Sequence, residues 1–448
     1  MNKRTIARAV AIGASALMIG AGLAACSGGS TSSNGGGGDA ASIDDALKAG
    51  GEITYWTWTP SAEDQVAAFE KAYPNVKVNL VNTGGANDNN TKLQNAISAG
   101  SGIPDVVQIE YQSLPQYVLA GSLTDLTSFG FGDLKDDYTA STWGAVSQDN
   151  GIWGLPQDSG PMALFYNKKV FDQYGIAVPT TWDEYAEAGK KLHAADPTKY
   201  ITNDPGTDAG FGTSMLWQAG SRPFQTDGEK VTINLADDGA KKWTAVWSKM
   251  LADGSLGNIP GWSDEWFTAL GDGTIASLPI GAWMPGVLEA NVPQAKGDWA
   301  VAPMPTYDGG KAVSAENGGS SEVVMKGSKN QALAAGFLKW LNNSQDSIDV
   351  FLKSGGFPAT TADLNADSFL NLQSDYFGGQ KINQVLVDAG TSVGTGWQYL
   401  PWQAYANSIY ADTVGQAYLN KTSILDGLAA WQQKNVSYGN DQGFSVNK

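Results

Sequence analysis

The chain predicts an α/β fold built on open, largely parallel sheets and divided into two units. Two observations carry that expectation. Strand-like and helix-like segments alternate from Glu52 onward, and such alternation is the mark of a parallel sheet covered by helices. After the N-terminal leader about 400 residues remain, enough for two domains on the usual length per domain.

The leader comes first. Lys3, Arg4 and Arg8 precede an apolar or small-residue run from Ala9 to Ala25, which closes in Leu23-Ala24-Ala25-Cys26. Its Gly, Ala and Ser content and small-residue end fit a cleaved export signal better than a membrane span. Cys26 is the only cysteine. The Leu-Ala-Ala-Cys tetrad resembles the lipobox of bacterial lipoproteins, which implies lipidation of Cys26. Ser27 to Ser42 is nearly all Gly, Ser, Thr, Asn and Ala, and such a stretch cannot bury a core and behaves as a tether. An acylated Cys26 leaves the body without a thiol, so disulfides and cysteine catalysis are excluded.

The first unit follows. Glu52 to Trp58 is β-branched and aromatic and reads as a buried strand. Pro60 then opens a helix with Val66, Phe69 and Tyr73 on one face. Pro74 breaks that helix, and Val76 to Val81 is a second strand. Leu93, Ala96 and Ile97 mark a short helix stopping at Gly100, and Asp105 to Ile109 is a third strand. Ligands of such sheets bind beyond the carboxyl ends of the strands. Here those ends carry Trp58-Thr59, the amide-rich run Asn82 to Asn90, and Glu110-Tyr111-Gln112. The set holds no phosphate loop and no nucleophile with a base. Aromatic faces beside amides and a carboxylate suit a polyhydroxylated ligand, because rings cover the C–H faces of a sugar while polar groups satisfy its hydroxyls. Trp56, in mid-strand, is expected in the core.

Further on, Gly154-Leu155-Pro156 is a turn and Met162 to Phe165 an apolar strand running into Tyr166-Asn167-Lys168. Thr181-Trp182-Asp183-Glu184 matches a capping box, with Tyr185, Ala188 and Leu192 continuing one helical face. This array resembles the passage into the second lobe of the maltose-binding-like solute-binding proteins of carbohydrate ABC importers, with Pro179, Thr181, Trp182 and Glu184 in its helix pattern. The likeness extends along the chain: Ile103 to Val107 resembles that family's third strand, Gly273 to Trp283 its second-lobe strand ending in a sugar-facing aromatic, and Trp299 to Pro305 its return crossing. Gly318-Gly319, the helix bearing Ala334, Phe337, Leu338 and Leu341, and Gly355 to Pro358 follow in the same order. Gln157 to Pro161 departs from the pattern, being longer than the maltose binder's hinge turn.

The resemblance implies a two-lobed periplasmic-binding-protein-like fold, each lobe an open mixed or parallel sheet flanked by helices, joined by a hinge. Residues 1–25 are then the signal and 26–42 the lipidated tether; lobe 1 spans 43–158 and 303–355, and lobe 2 spans 159–302 and 356–448. It also implies a lipid-anchored protein on the outer face of the cell membrane, monomeric, which captures a sugar of several rings and delivers it to the permease subunits of an ABC transporter. No catalysis or cofactor is implied.

Ligand contacts are expected at Trp58, Asn87, Asp88, Glu110, Tyr111 and Gln112 in the first lobe. Asp158 stands in for an acidic sugar contact, and Trp217, Trp283, Trp397, Trp402 and Tyr405 are the second-lobe candidates. The chain has 16 tryptophans, more than one cleft can use, so most belong to cores. Tyr166 and Asn167 are expected to be structural.

Other functions fare less well. The formal charge is −17, and it grows more negative once the basic leader is lost, which disfavours nucleic acid and anionic lipid as partners. A metal site is not expected: His193 is the only histidine, and Asp237-Asp238-Gly239 does not complete a calcium loop. ATP hydrolysis would need a Walker sequence, which is missing. A polyamine binder would share the aromatics and carboxylates. The main alternative is a membrane-anchored glycoside hydrolase, which needs two carboxylates flanking a glycosidic bond; no acidic pair sits in such a context.

Overall fold

The structure, a computed structural model, describes residues 40–148 and 150–447. The leader and Cys26 lie outside them. The described residues begin with a helix at Ala40–Ala49, so the last three residues of the stretch 26–42 are helical. The reason is a buried pair one helical turn apart: Ile43 and Leu47 close onto Gly336, where an added Cβ would meet both side chains.

The principal sheet is five-stranded, in the order β2-β1-β3-β8-β4. β1 (Gly51–Thr57), β2 (Val76–Asn82) and β3 (Val106–Glu110) run parallel, as the alternating pattern predicts. β4 is the short Leu155–Pro156. β8 (Ser320–Val324) arrives from far along the chain and pairs antiparallel with both β3 and β4, so the sheet is mixed. The helix Ala62–Ala72 buries Val66 and Phe69 against it, with Ser61 as N-cap and Pro60 in the preceding turn. Gly100 ends the next helix at φ +63°, the left-handed cap that glycine adopts without strain. Phe69, Tyr55 and Phe337 pack ring to ring at 4.9–5.3 Å.

A second sheet has the order β6-β5-β7, with β5 at Met162–Asn167, β6 at Ser277–Gly281 and β7 at Trp299–Ala302. Side chains alternate across a strand, and central β5 uses both faces. Met162 and Leu164 enter one apolar core, while Ala163 and Phe165 enter another. Tyr166 leans on Phe171, and Asn167, fully buried, accepts from Val170 N at 3.1 Å to cap the helix Lys168–Gln173. Both residues of that motif are thus structural. The capping box at Thr181 is present with both of its bonds, opening the helix Trp182–Ala195.

Met304 and Ala315 also pack in the second core. The return to the first sheet therefore falls between Ala315 and Ser320 rather than at 303, because β7 ends at Ala302 and the chain continues over its own core first. Among the described residues no helix is long and apolar enough to cross a membrane.

Candidate functional site

Stretches 156–162 and 315–320 connect the sheets, 357–360 passes between their cores with Phe357 on one side and Ala359 on the other, and side chains tie the three together. Asp158 Oδ1 accepts from Ser320 N at 2.6 Å and Ser320 Oγ at 3.0 Å. Glu316 accepts from Gly160 N at 2.7 Å and from the hydroxyls of Ser159 and Ser141, and Ser159 N reaches Phe357 O at 3.3 Å. Gly160 lies so close to the second stretch that a Cβ there would sit 2.3 Å from Asn317 O. Desolvation pushes the buried Glu316 carboxyl up to about 7 and Asp158 to about 6, against the hydrogen bonds that favour their ionised forms.

The first wall of the cleft is made by strand ends. β1, β2 and β3 all point their carboxyl ends at the connecting stretches, and β8 begins there at Ser320. Gln108, buried in β3, organises the end of β1. Its carbonyl oxygen accepts from Thr57 and Thr59 hydroxyls and from Trp58 N, while its amide donates to Gln157 and Ser320. Trp58 is thereby held by its backbone, with its side chain half-buried. Next to it, Glu110 accepts from Gln112 Nε2 at 2.9 Å. Desolvation carries the Glu110 carboxyl up to about 7; the Gln112 bond opposes that shift, and the charge of Asp208 adds to it.

Asp208 comes from the opposite wall, as N-cap of the helix Ala209–Gln218, accepting from Phe211 N at 3.0 Å. Its side chain reaches solvent, yet surrounding protein desolvates its carboxyl enough to push it up; that combination belongs to the lining of a concave site. On the same helix Ser214 donates to Glu316 O and accepts from Asn317 Nδ2, anchoring the wall to the hinge. β6 runs antiparallel to β5, so its carboxyl end also lies at the hinge. Beyond it Trp283, half-buried, donates Nε1–H to Asn317 O at 2.6 Å. Asn407 Nδ2 spans to Gln112 Oε1 at 3.2 Å, and Tyr399 packs against both the first and second cores.

Of the residues expected from sequence, Glu110 and Gln112 meet Asp208 and Asn407 of the second unit, Trp58 leaves the end of β1 beside Gln108, and Trp283 stands beyond β6 on Asn317 O. Asn87 and Asp88 do not sit in a loop: the helix begins at Ala86, so they occupy its exposed first turn. Tyr111 is buried, donates to Asp158 O at 2.8 Å and lies against Gly319 (φ +88°), whose Cβ would be 2.8 Å from the ring. It and Asp158 are hinge ties. Trp217 is buried, bonded to Gly394 O and stacked face to face on Trp397 at 5.1 Å and 3°, so both rings serve the second core. Trp402 is buried with its indole on Asn435 and Phe444 alongside. Tyr405 stacks on Tyr438 at 3.7 Å. Two positions along, on the other side of the helix Gln403–Ser408, Asn407 is the residue that reaches Gln112.

Sequence reasoning missed Asp208, Glu316, Asn317, Tyr399 and Asn407. Only Asp208 carried a local signal, a capping residue ahead of an apolar helix. The rest are assembled from distant segments.

Residues 55–347 match the family model described as bacterial extracellular solute-binding protein. The arabinooligosaccharide-binding protein of Halalkalibacterium halodurans is 25% identical over 394 residues, 84% of this chain and 88% of that one. Among solved structures, the ABC transporter associated binding protein from B. animalis subsp. lactis, in complex with β-1,6-galactobiose, is 44% identical. Its TM-score is 0.82, over 89% of this chain and 99% of that one. The galacto-N-biose-/lacto-N-biose I-binding protein of Bifidobacterium longum, in complex with lacto-N-biose, is 27% identical with a TM-score of 0.79, over 89% and 99% of the two chains.

Proposed function

The chain belongs to the bacterial extracellular solute-binding protein family, and from that premise we propose that it captures a sugar of two or more rings in the cleft between its two sheets for an ABC importer. It is a binding protein and not an enzyme, so the hydrolase weighed as an alternative falls away with family membership.

The observation that carries the ligand reading is the composition of the cleft. A carboxylate and an amide on one wall, Glu110 and Gln112, face a carboxylate and an amide on the other, Asp208 and Asn407, and the half-buried ring of Trp283 stands at the hinge on Asn317 O. Ring faces cover sugar C–H groups, and the polar side chains pair with hydroxyls. The names and bound ligands of the relatives, all saccharides, support the same class.

In this reading the two sheets, with their cores, are lobes that close on the ligand by a hinge at the three tied stretches. A sugar touching both walls favours the closed form through its differential affinity. The permease subunits of the importer then receive it. Cys26 carries the lipid that holds the monomer at the outer face of the membrane.

Thermal-shift screening of the protein against a glycan panel tests the ligand class. A bound sugar raises stability as RT ln(1 + [L]/Kd), about 2.7 kcal/mol at a hundredfold excess over Kd. A panel of mono-, di- and oligosaccharides that leaves the melting temperature unmoved defeats the reading.

A further inference from the structure

Gln403 is buried at the start of the helix Gln403–Ser408 and is tied twice to Leu400. Its backbone N–H donates to Leu400 O at 3.0 Å, and its side-chain Oε1 accepts from Leu400 N at 3.1 Å. The other end of that amide, Nε2, donates to Asn407 Oδ1 at 2.8 Å, one helical turn along. Asn407 Nδ2 then donates to Gln112 Oε1 at 3.2 Å, and Gln112 Nε2 donates to Glu110 Oε2 at 2.9 Å. Hydrogen bonds thus run in series from a backbone N–H beside the second core to the carboxylate that ends β3.

Both ends of the series are fixed in sense. A backbone N–H can only donate and an ionised carboxylate can only accept, so the amides between them run in one direction. Turning any one of them round would set oxygen against oxygen on one side and N–H against N–H on the other. Bonds in such a chain polarise one another, and a charged acceptor at its end strengthens them. The titratable groups that bear on Glu110 are Asp208 from the opposite wall, Asp158 from the hinge and Tyr399 from the stretch before Gln403. None of the three is a cation, and the Gln112 amide is what favours the ionised form of Glu110. We propose that Gln403 is a positioning residue: through Asn407 and Gln112 it holds Glu110 as an acceptor, so that this wall takes a hydroxyl that donates. The inference rests on the sugar-capture reading, and it links the setting of Glu110 to closure, because the Asn407–Gln112 bond joins the two walls.

Gln403→Glu keeps the shape of the side chain but puts an oxygen where Nε2 stood. Turning both following amides round accommodates it, and that aims Gln112 Oε1 at position 110, where a carboxylate is repelled and a donor is satisfied. Glu110→Gln supplies the donor. The test is a double-mutant cycle on the full-length protein, run at pH 8, above the value of about 7 to which burial carries Glu110. Calorimetry reads the affinity for β-1,6-galactobiose, lacto-N-biose and lactose, and unliganded melting is followed alongside. Gln403→Glu is expected to weaken binding about tenfold when Glu110 is present and less than about twofold in the Glu110→Gln background, with melting in the same order. Repeating the cycle with Asn407→Ala, which cuts the series, is expected to abolish the rescue. Equal effects of Gln403→Glu in both backgrounds, in affinity and melting alike, overturn the positioning role and leave sugar capture intact. A rescue that survives Asn407→Ala is charge acting through space and overturns it too. A native protein that binds none of the three sugars overturns sugar capture, and wherever binding is too weak to titrate the melting cycle alone decides the role of Gln403.

Discussion

Trp283 donates its indole N–H to the carbonyl of Asn317 at 2.6 Å, so the aromatic wall of the cleft is bolted to a stretch that joins the two lobes. That bond orients the ring. Trp283→Ala should weaken binding by about 1.5–3 kcal/mol, the range for burying one large apolar side chain. Trp283→Phe keeps a face but loses the anchoring bond, and should fall between native and Trp283→Ala. Calorimetric titration of the three proteins checks the order.

Asn167→Ala should behave in the opposite way. Its side chain caps the helix Lys168–Gln173 from a buried position at the end of β5, and losing such a cap costs about 0.5–2 kcal/mol. Unliganded stability should drop while the affinity of the folded protein stays within about twofold. Loss of binding at unchanged stability would make this motif a ligand site instead.

Those two residues illustrate what the sequence made legible. Period-two and helical apolar patterns placed β1, β2 and β3 and their parallel order, and the Thr181 capping box and the Gly100 stop are local chemistry that needs no tertiary knowledge. Trp58, Glu110 and Gln112 are candidates because they leave strand ends, and Trp283 because its strand resembles the family's second-lobe strand. Trp217 and Trp402 could not be told from cleft residues, since an indole that stacks on a sugar and one that stacks on Trp397 or Phe444 look alike in a string. Asn407 reaches Gln112 only because distant segments meet.

The Gln112–Asn407 bond joins the walls at 3.2 Å. Asn407→Ala should shift the free protein toward open forms, visible as a larger radius of gyration in solution scattering. Affinity should fall modestly, by less than about 1.5 kcal/mol for one neutral hydrogen bond. An unchanged scattering profile would remove the contact from the closure equilibrium.

Buried acids give the protein an unusual pH response. Burial pushes Glu110, Glu316 and Glu322 from 4.5 up to about 7 and Asp158 from 3.8 to about 6. Between its unfolded and folded pKa values each group holds more protons folded than unfolded, so its contribution to stability falls as pH rises through that window. Below about 4.5 for the glutamates and about 3.8 for Asp158 the groups are neutral in both states; above about 7 the folded protein bears the full burden of their charge. Glu322 accepts from Tyr55 OH and Asn342 Nδ2; in Glu322→Gln the amide oxygen keeps Asn342, whose Nδ2 also donates to Leu155 O at 2.9 Å and so holds its orientation, and the amide nitrogen donates to the Tyr55 hydroxyl oxygen. That variant should gain stability relative to the native protein between pH 5 and pH 8, by about 1 kcal/mol or more. Denaturant unfolding at the two pH values reads the difference, and a parallel pH dependence in both proteins would refute it.

Cys26 lies outside the described residues, and its role is open to direct test. Native protein should partition with membranes after export, whereas Cys26→Ser should remain unprocessed or be released. Identical processing and fractionation of the two would remove the lipid anchor.

The central claim is that sugar binds between Glu110 on one wall and Trp283 on the other. Calorimetric titration of the native protein and of a Glu110→Gln, Trp283→Ala double variant, with the glycan that most raises the native melting temperature, addresses it directly. The account predicts one site per native chain and an affinity at least about a hundredfold weaker in the double variant, whose unliganded fold persists. A double variant that binds the same glycan as tightly as the native protein would contradict it.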